Sequence, residues 1–314
     1  MENQQKRTFD FLAVGELLID FISRDFADKL EDVKIFERFQ GGSPANLCLN
    51  MARLGNSVKL IACVGNDDMG DYLYKCVQNQ GVNCEQLRKV AEPTSLILVT
   101  RTKSVANFEA YRGADCQIVG EQFPVARFGE CRIFHTTCFA LSREPALSTI
   151  LRAARLAVQE GCQLSIDANY AQKIWPDRQQ AQKIVAKYCG MGAIVKVSEV
   201  DWERLYESPL KEAETAANHF LNLGATVVCA TMGEKGCLIA SPSEKFRLPA
   251  RKVEVKDTTG AGDAFWSGFL TAWLDEHSLL NCAKAGRKMA EIKLGHFGSL
   301  PRVVEREKIY SDFR

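Results

Sequence analysis

The sequence predicts an α/β fold, a mostly parallel sheet with helices on both faces, and two observations carry that expectation. Short apolar runs rich in Val, Ile and Leu alternate with longer stretches of helical periodicity, which is how successive β-α-β units read. The strand-like runs are apolar almost throughout, as strands covered on both faces must be. In chain order, strands are expected at Phe9 to Val14, Val58 to Val64, Arg132 to His135, Gln163 to Asp167, Ala193 to Val197 and Thr226 to Thr231. Helices are expected between them, among others at Pro44 to Leu54, Glu144 to Gln159 and Arg178 to Tyr188.

Two segments break this rhythm. Residues 20–40 and 94–114 show no strong amphipathic helix, and TSLILVTRT and NFEAYR read as strands joined by a polar turn around Lys103 and Ser104. Together they could form a small second sheet, a lid over a site at the C-terminal edge of the main sheet; the alternative is an irregular edge of that sheet. Residues 1–314 are otherwise read as one domain, since 314 residues with 46% hydrophobic content suit one large core better than two.

Charge and cysteine usage narrow the function classes. Lys and Arg total 40 against 39 Asp and Glu, so no global positive field exists to hold nucleic acid or an anionic membrane. The N-terminal MENQQKRTFDFLAV starts polar and its apolar run is too short to span a bilayer, which predicts a cytoplasmic protein. The twelve cysteines are scattered, with Cys48, Cys63, Cys131, Cys229 and Cys237 inside apolar runs and no C-x-x-C pair, so they read as small core residues rather than disulfides or zinc ligands.

The chemistry is concentrated in VKDTTGAGDAFWSGFL, where a glycine-rich polar turn runs into an apolar helical pattern from Ala261. A helix start there leaves N–H groups without intrahelical partners at the positive end of the dipole, a setting suited to a phosphate. Gly260 and Gly262 allow close approach, and Asp263 lies in the first helical turn. A carboxylate beside an anion-holding turn is what phosphoryl transfer to an alcohol needs: a base for the hydroxyl and fixed dipoles for the transferring group. The plainer alternative is a helix start capped by Thr258 or Thr259, with Asp263 complementing the dipole. No P-loop or protein-kinase signature occurs, and Phe265 stands where a dinucleotide fingerprint needs its third glycine.

DTTGAGD at Asp257 to Asp263 is similar to the C-terminal signature of the ribokinase-like (PfkB) carbohydrate kinases, and GGSPAN at Gly41 to Asn46 resembles their N-terminal one. The two stand in the order that family requires, and the resemblance covers nearly the whole chain. It implies a ribokinase-like fold, ATP and magnesium as cofactors, Asp263 as the base, and Gly260, Ala261 and Gly262 as the anion hole. On the sugar side it implies Asp20, Gly41, Gly42, Asn46, Arg112 and Asn169. A carboxylate such as Asp20 accepts two adjacent hydroxyls well, while a solvated strand end is its plainer alternative. For Arg112 that alternative is an exposed charge.

Phe139 to Ala157 and GELLIDF look like bacterial fructokinases, whereas DANYAQKIWPD is shared in outline with ketodeoxygluconate kinases. Ala171 stands where an Arg is usual and Ala110 where ketodeoxygluconate kinases show Tyr. Losing a cation and a phenol weakens the case for a sugar acid, so fructose leads, with a ketodeoxygluconate or nucleoside kinase as the nearest alternative and a silent sugar-binding protein behind both.

For the nucleotide, the resemblance implies the turn Thr231, Gly233 and Gly236, together with Lys196, Ser198 and Lys284, with Asp201 reaching magnesium through water. Ser198 and Asp201 depart from the usual K-x-N-x-x-E, and a hairpin is the plainer reading of the turn. Asp257, Thr259, Gly295 and Ser299 match positions that hold a monovalent cation, potassium, in many relatives, although MAEIKLGHFGSLP departs from their pattern. Relatives often pair through their lids, so a homodimer is expected.

Overall fold

The computed structural model describes residues 7–101, 107–124, 129–296, 298 and 300–313. The turn expected around Lys103 and Ser104 lies outside them, as does Ser299.

The main sheet has nine strands: β1 (Phe9–Val14), β4 (Val58–Gly65), β5 (Leu87–Val90), β8 (Cys131–Thr137), β9 (Gln163–Asp167), β10 (Ile194–Ser198), β11 (Val227–Thr231), β12 (Cys237–Ala240) and β13 (Lys245–Leu248). Their spatial order is 13-12-11-10-9-8-1-4-5. Every pairing from β11 across to β5 is parallel; the β11–β12 and β12–β13 pairings, at one end, are antiparallel. This is the mostly parallel sheet that the uninterrupted apolar runs predict.

Side chains alternate across each strand, so the sheet feeds two cores. Leu12, Val14, Phe134, Leu164, Ile166, Val195 and Val197 face the layer of α3 (Ala146–Gln159), α4 (Arg178–Cys189), α5 (Glu199–Tyr206) and α6 (Ala213–Asn222). Phe11, Ala13, Leu60, Ala62, Ile133, Ile194 and Cys229 face α1 (Ser43–Arg53), α2 (Asp68–Asn79), α7 (Ala261–Leu274) and α8 (Leu279–Leu294). A short α9 (Arg306–Ile309) closes the second layer. Of the twelve cysteines, all but Cys76 are buried. No helix among the described residues is long and apolar enough to cross a membrane.

A second sheet of four strands, ordered 3-2-6-7, is built from β2 (Leu18–Phe26), β3 (Phe36–Gly41), β6 (Leu96–Arg101) and β7 (Asn107–Tyr111). Its β2–β6 pairing is parallel and the other two are antiparallel. Two of its connectors to the main layers are short: Gly15 to Leu17 separate β1 from β2, and Gly42 alone separates β3 from α1. The sheet carries Phe26 and Tyr111 well exposed to solvent.

Candidate active site

The site lies at the C-terminal ends of the central parallel strands, where β1, β8, β9, β10 and β11 deliver Gly15, Thr137, Asp167, Ser198 and Thr231. Strand ends in such a sheet diverge into loops and helix starts, so polar side chains can converge there without breaking the ladder.

Asp263 sits in the first turn of α7. Its Oδ1 accepts a hydrogen bond from Ser43 Oγ at 2.7 Å and its Oδ2 one from Asn46 Nδ2 at 2.8 Å. GGSPAN and DTTGAGD therefore meet on one carboxylate. Asn46 is itself oriented by Gln40, whose Nε2 donates to Oδ1 at 3.1 Å. Burial raises the Asp263 carboxyl above its ordinary range, and the Ser43 and Asn46 donors oppose that rise.

The glycines of GGSPAN have a packing reason. A Cβ at Gly41 would lie 2.2 Å from Asp20 Oδ2, and one at Gly42, whose φ is +98°, would lie 2.3 Å from the Glu16 carbonyl oxygen. Bare backbone at both positions lets Asp20, in β2, face the start of α1. Asp20 lines a cleft with Gln40, Asn46, Asp257, Thr259 and Gly260, between the second sheet and the leading turn of α7. Burial, and then the nearby Asp263 charge, push the Asp20 carboxyl up to about 7.

The leading turn of α7 is not a capped helix start. Gly260 occupies the N-cap in the left-handed region at φ 72° with no side-chain cap, and Ala261 N–H donates to the Thr258 carbonyl. Neither threonine caps, so the capped alternative does not hold. Lys196 supplies charge beneath the turn: a Cβ at Gly262 would meet its Nζ at 3.4 Å. Burial opposes the Lys196 charge, but the Asp167 carboxylate, 2.6 Å away, overrides it and raises the lysine pKa. Asp167 Oδ1 is buried and has no hydrogen-bond partner among the described residues.

Ser198 and Asp201 form a capping box at α5, with Ser198 Oγ donating to Asp201 Oδ2 at 2.5 Å and the Asp201 amide donating back to Ser198 Oγ at 3.1 Å. Burial, followed by Asp167, pushes Asp201 up to about 6. In the turn after β11, Gly233 (φ 52°) opens a short 3-10 segment and Gly236 (φ 92°) closes it into the antiparallel β12. The Cβ space at Gly236 is filled by the Leu248 carbonyl oxygen at 2.1 Å, so the backbone of β13 accounts for that glycine. Asn169 accepts from the Phe139 amide at 3.3 Å, and Lys284 is half-buried on α8.

Arg112 is neither an exposed charge nor open to the cleft. Its Nε and Nη2 both bind Asp115 Oδ2, at 2.9 and 2.5 Å, its Nη1 binds Ser142 Oγ, and the guanidinium stacks over Phe139 with only 1% of the side chain exposed. Through these contacts it braces the connection after β7. Asp257 accepts from the Thr259 amide and pairs with Lys293 at 3.1 Å, while Gly295 terminates α8.

Sequence reasoning passed over Ser43, Glu16, Asp167 and Lys293. Glu16 is buried at the end of β1, accepting from the Ser43 amide at 3.3 Å and from Thr137 Oγ1 at 2.9 Å. Ser43 and Asp167 lie inside stretches singled out as motifs, so the signal was present without its partner.

A family model described as "pfkB family carbohydrate kinase" matches residues 9–304. The chain belongs to the pfkB family of carbohydrate kinases. Its relatives include the ATP-dependent 6-phosphofructokinase of Thermoanaerobacterium thermosaccharolyticum, 32% identical over 305 residues (97% of this chain, 94% of that one). Fructokinase-1 of Oryza sativa is 30% identical over 312 residues, covering 95% of this chain and 96% of its own. Among solved structures, an uncharacterized sugar kinase from Pyrococcus horikoshii in complex with ATP superposes with a TM-score of 0.82 at 25% identity, over 95% and 96% of the two chains. The fructokinase of Halothermothrix orenii gives 0.75 at 29% identity, over 90% and 96%. As a pfkB kinase, the chain is a phosphotransferase acting on a carbohydrate.

Proposed function

We propose that this pfkB kinase transfers the γ-phosphoryl group of ATP to a primary hydroxyl of a small sugar, fructose first, with Asp263 as the general base. The observation that carries the reading is the convergence of Ser43, Asn46 and Asp20 on Asp263 beside the uncapped turn of α7. Asp20 and Asn46 hold acceptor hydroxyls and the amides of Gly260 and Gly262 face the phosphates, the Ala261 amide being engaged by the Thr258 carbonyl. Asp263 takes the hydroxyl proton as the oxygen attacks phosphorus, the new O–P bond forming as the bond to ADP breaks. Lys196 and the helix start take up charge as it moves to the leaving phosphate.

Nucleotide-bound magnesium suits the same strand ends. No cluster of three or more His, Cys, Asp or Glu able to cage a metal occurs among the described residues, so phosphates and water would fill most of its shell. Asp167, with its unpartnered Oδ1, and Asp201 through water are the groups that would hold it, and the ion neutralises charge on the phosphate oxygens when bound. The second sheet serves as the lid, carrying Asp20 over the acceptor. Its exposed Phe26 and Tyr111 suit pairing with the lid of a second copy, which sedimentation of the wild type beside a Phe26→Lys, Tyr111→Lys variant would test.

One observation favours a second acceptor. Arg53 and Arg101 line the same cleft as Asp20, and Arg53 Nε is buried without a hydrogen-bond partner among the described residues, a setting that suits the phosphate of fructose 6-phosphate. A coupled ADP-release screen over fructose, fructose 6-phosphate, ribose, 2-keto-3-deoxygluconate and nucleosides decides. Preference for fructose supports the first reading, and preference for the phosphorylated sugar replaces it. Substantial turnover by Asp263→Asn would remove the base from the mechanism.

A further inference from the structure

Lys293 lies in the last turn of α8 and is nearly buried, with 10% of its side chain exposed. Its ammonium stands 3.1 Å from Asp257 Oδ2 and 3.4 Å from the His296 carbonyl oxygen. The same Asp257 carboxylate takes the Thr259 amide on Oδ1 at 2.9 Å and the Gly298 amide on Oδ2 at 3.3 Å. The ammonium thus rests among a carboxylate and a backbone carbonyl, the oxygen donors a potassium ion would use, and it carries the same charge. It is also close to the chemistry: a Cβ at Gly260, the N-cap of α7, would lie 3.8 Å from Lys293 Cε. The Lys256 amide donates to the Leu294 carbonyl oxygen at 2.8 Å, holding the two segments in register. Asp257, which the family resemblance assigns to a monovalent cation, therefore does not fit one here, because a tethered cation already neutralises it.

We propose that Lys293 is a built-in substitute for an activating monovalent cation, fixing the 257–260 turn in its anion-holding form, so that this kinase works without potassium. The inference rests on the kinase reading of the α7 turn. Lys293 is a positioning residue: it holds Asp257, which holds the Thr259 amide, which sets the approach to Gly260. A free ion dissociates and makes activity follow its concentration, whereas a tethered ammonium is always present.

The test exchanges potassium chloride for tetramethylammonium chloride at constant ionic strength, in the wild type and in Lys293→Ala and Lys293→Met. Wild-type turnover should change less than about twofold, since nothing dissociates. Lys293→Ala, which opens space beside Asp257, should lose about tenfold or more in tetramethylammonium and recover most of it in potassium or ammonium. Lys293→Met, which fills that space without charge, should not recover. Thermal melting provides a readout independent of any acceptor: potassium should raise the melting temperature of Lys293→Ala and leave the wild type unmoved. Potassium-dependent wild-type turnover, or a potassium-raised wild-type melting temperature, overturns the proposal even if neither variant folds. A folded Lys293→Ala that gains neither activity nor melting temperature from potassium overturns it too. Absence of turnover with every acceptor, alongside the expected melting shifts, would count against the kinase reading alone.

Discussion

Ser43 donates a hydrogen bond to Asp263 across 220 positions of sequence, at 2.7 Å. A hydroxyl donor favours the ionised carboxylate, and Asn46 adds a second donor on the other oxygen. The two donors oppose the rise that burial imposes on the carboxyl of this proposed base.

Removing that donor should move the base. Ser43→Ala is expected to raise the Asp263 pKa, so the acidic limb of the kcat/KM profile against pH shifts to higher pH while the plateau rate stays within about tenfold. A pH-rate profile of variant and wild type measures it. An unchanged limb would show that another group controls the profile.

The Asp167–Lys196 pair is buried on both sides, with side chains 3% and 6% exposed. Asp167→Asn strands the ammonium, and breaking such a pair typically costs about 3–5 kcal/mol. Urea unfolding should show that loss for Asp167→Asn and for Lys196→Met singly, and a much smaller loss for the double variant. Additive losses would mean the two residues act separately.

Glu16 gives stability a sign with pH. Burial pushes its carboxyl up to about 8 from an ordinary 4.5. Between those values the folded chain keeps a proton that the unfolded chain releases, so this group makes stability fall as pH rises, by up to about 1.4 kcal/mol per pH unit. Below the lower value both states are protonated and the effect ends. Glu16→Gln should flatten that slope and leave the variant relatively more stable at pH 8 than at pH 5, as read by denaturant midpoints at several pH values.

Gly41→Ala tests the acceptor side. Its new methyl group would collide with the Asp20 carboxylate, which can rotate away because it is the free end of a side chain. Displacing a charged acceptor from sugar hydroxyls costs about 1.5–3 kcal/mol per hydrogen bond, so KM for the sugar should rise about tenfold or more while the melting temperature moves little. Titration of sugar at saturating ATP checks this, and an unchanged KM would take Asp20 out of acceptor binding.

The architecture was legible wherever it depends on unbroken apolar runs. Phe9–Val14, FDFLAV, appears with its expected boundaries, and so does Gln163–Asp167, although QLSID is mostly polar. By contrast, Leu87–Val90 reads LRKV, a half-charged tetrapeptide whose strand character comes from pairing beside β4. At the site, the two glycine motifs were visible and their meeting point was not. Asp167 and Lys196 are 29 positions apart and Asp257 and Lys293 are 36 apart, so no local period connects them. Arg112 shows the same limit: its partner Asp115 stands only three positions along, but the burial of the pair was not written there.

The shortness of the two connectors into the second sheet has a practical side for protein engineering. Exchanging the β2–β3 hairpin of that sheet for one from a relative is the direct route to a new acceptor, yet just Gly15 to Leu17 lead into it and Gly42 leads out. A graft has no slack in which to hide a mismatch: one inserted residue at the second junction would displace Ser43, and with it a hydrogen bond to Asp263. Workable chimaeras should therefore take their cut points upstream of Gly15 and downstream of Asn46, carrying the contacts of Asp263 across with the hairpin.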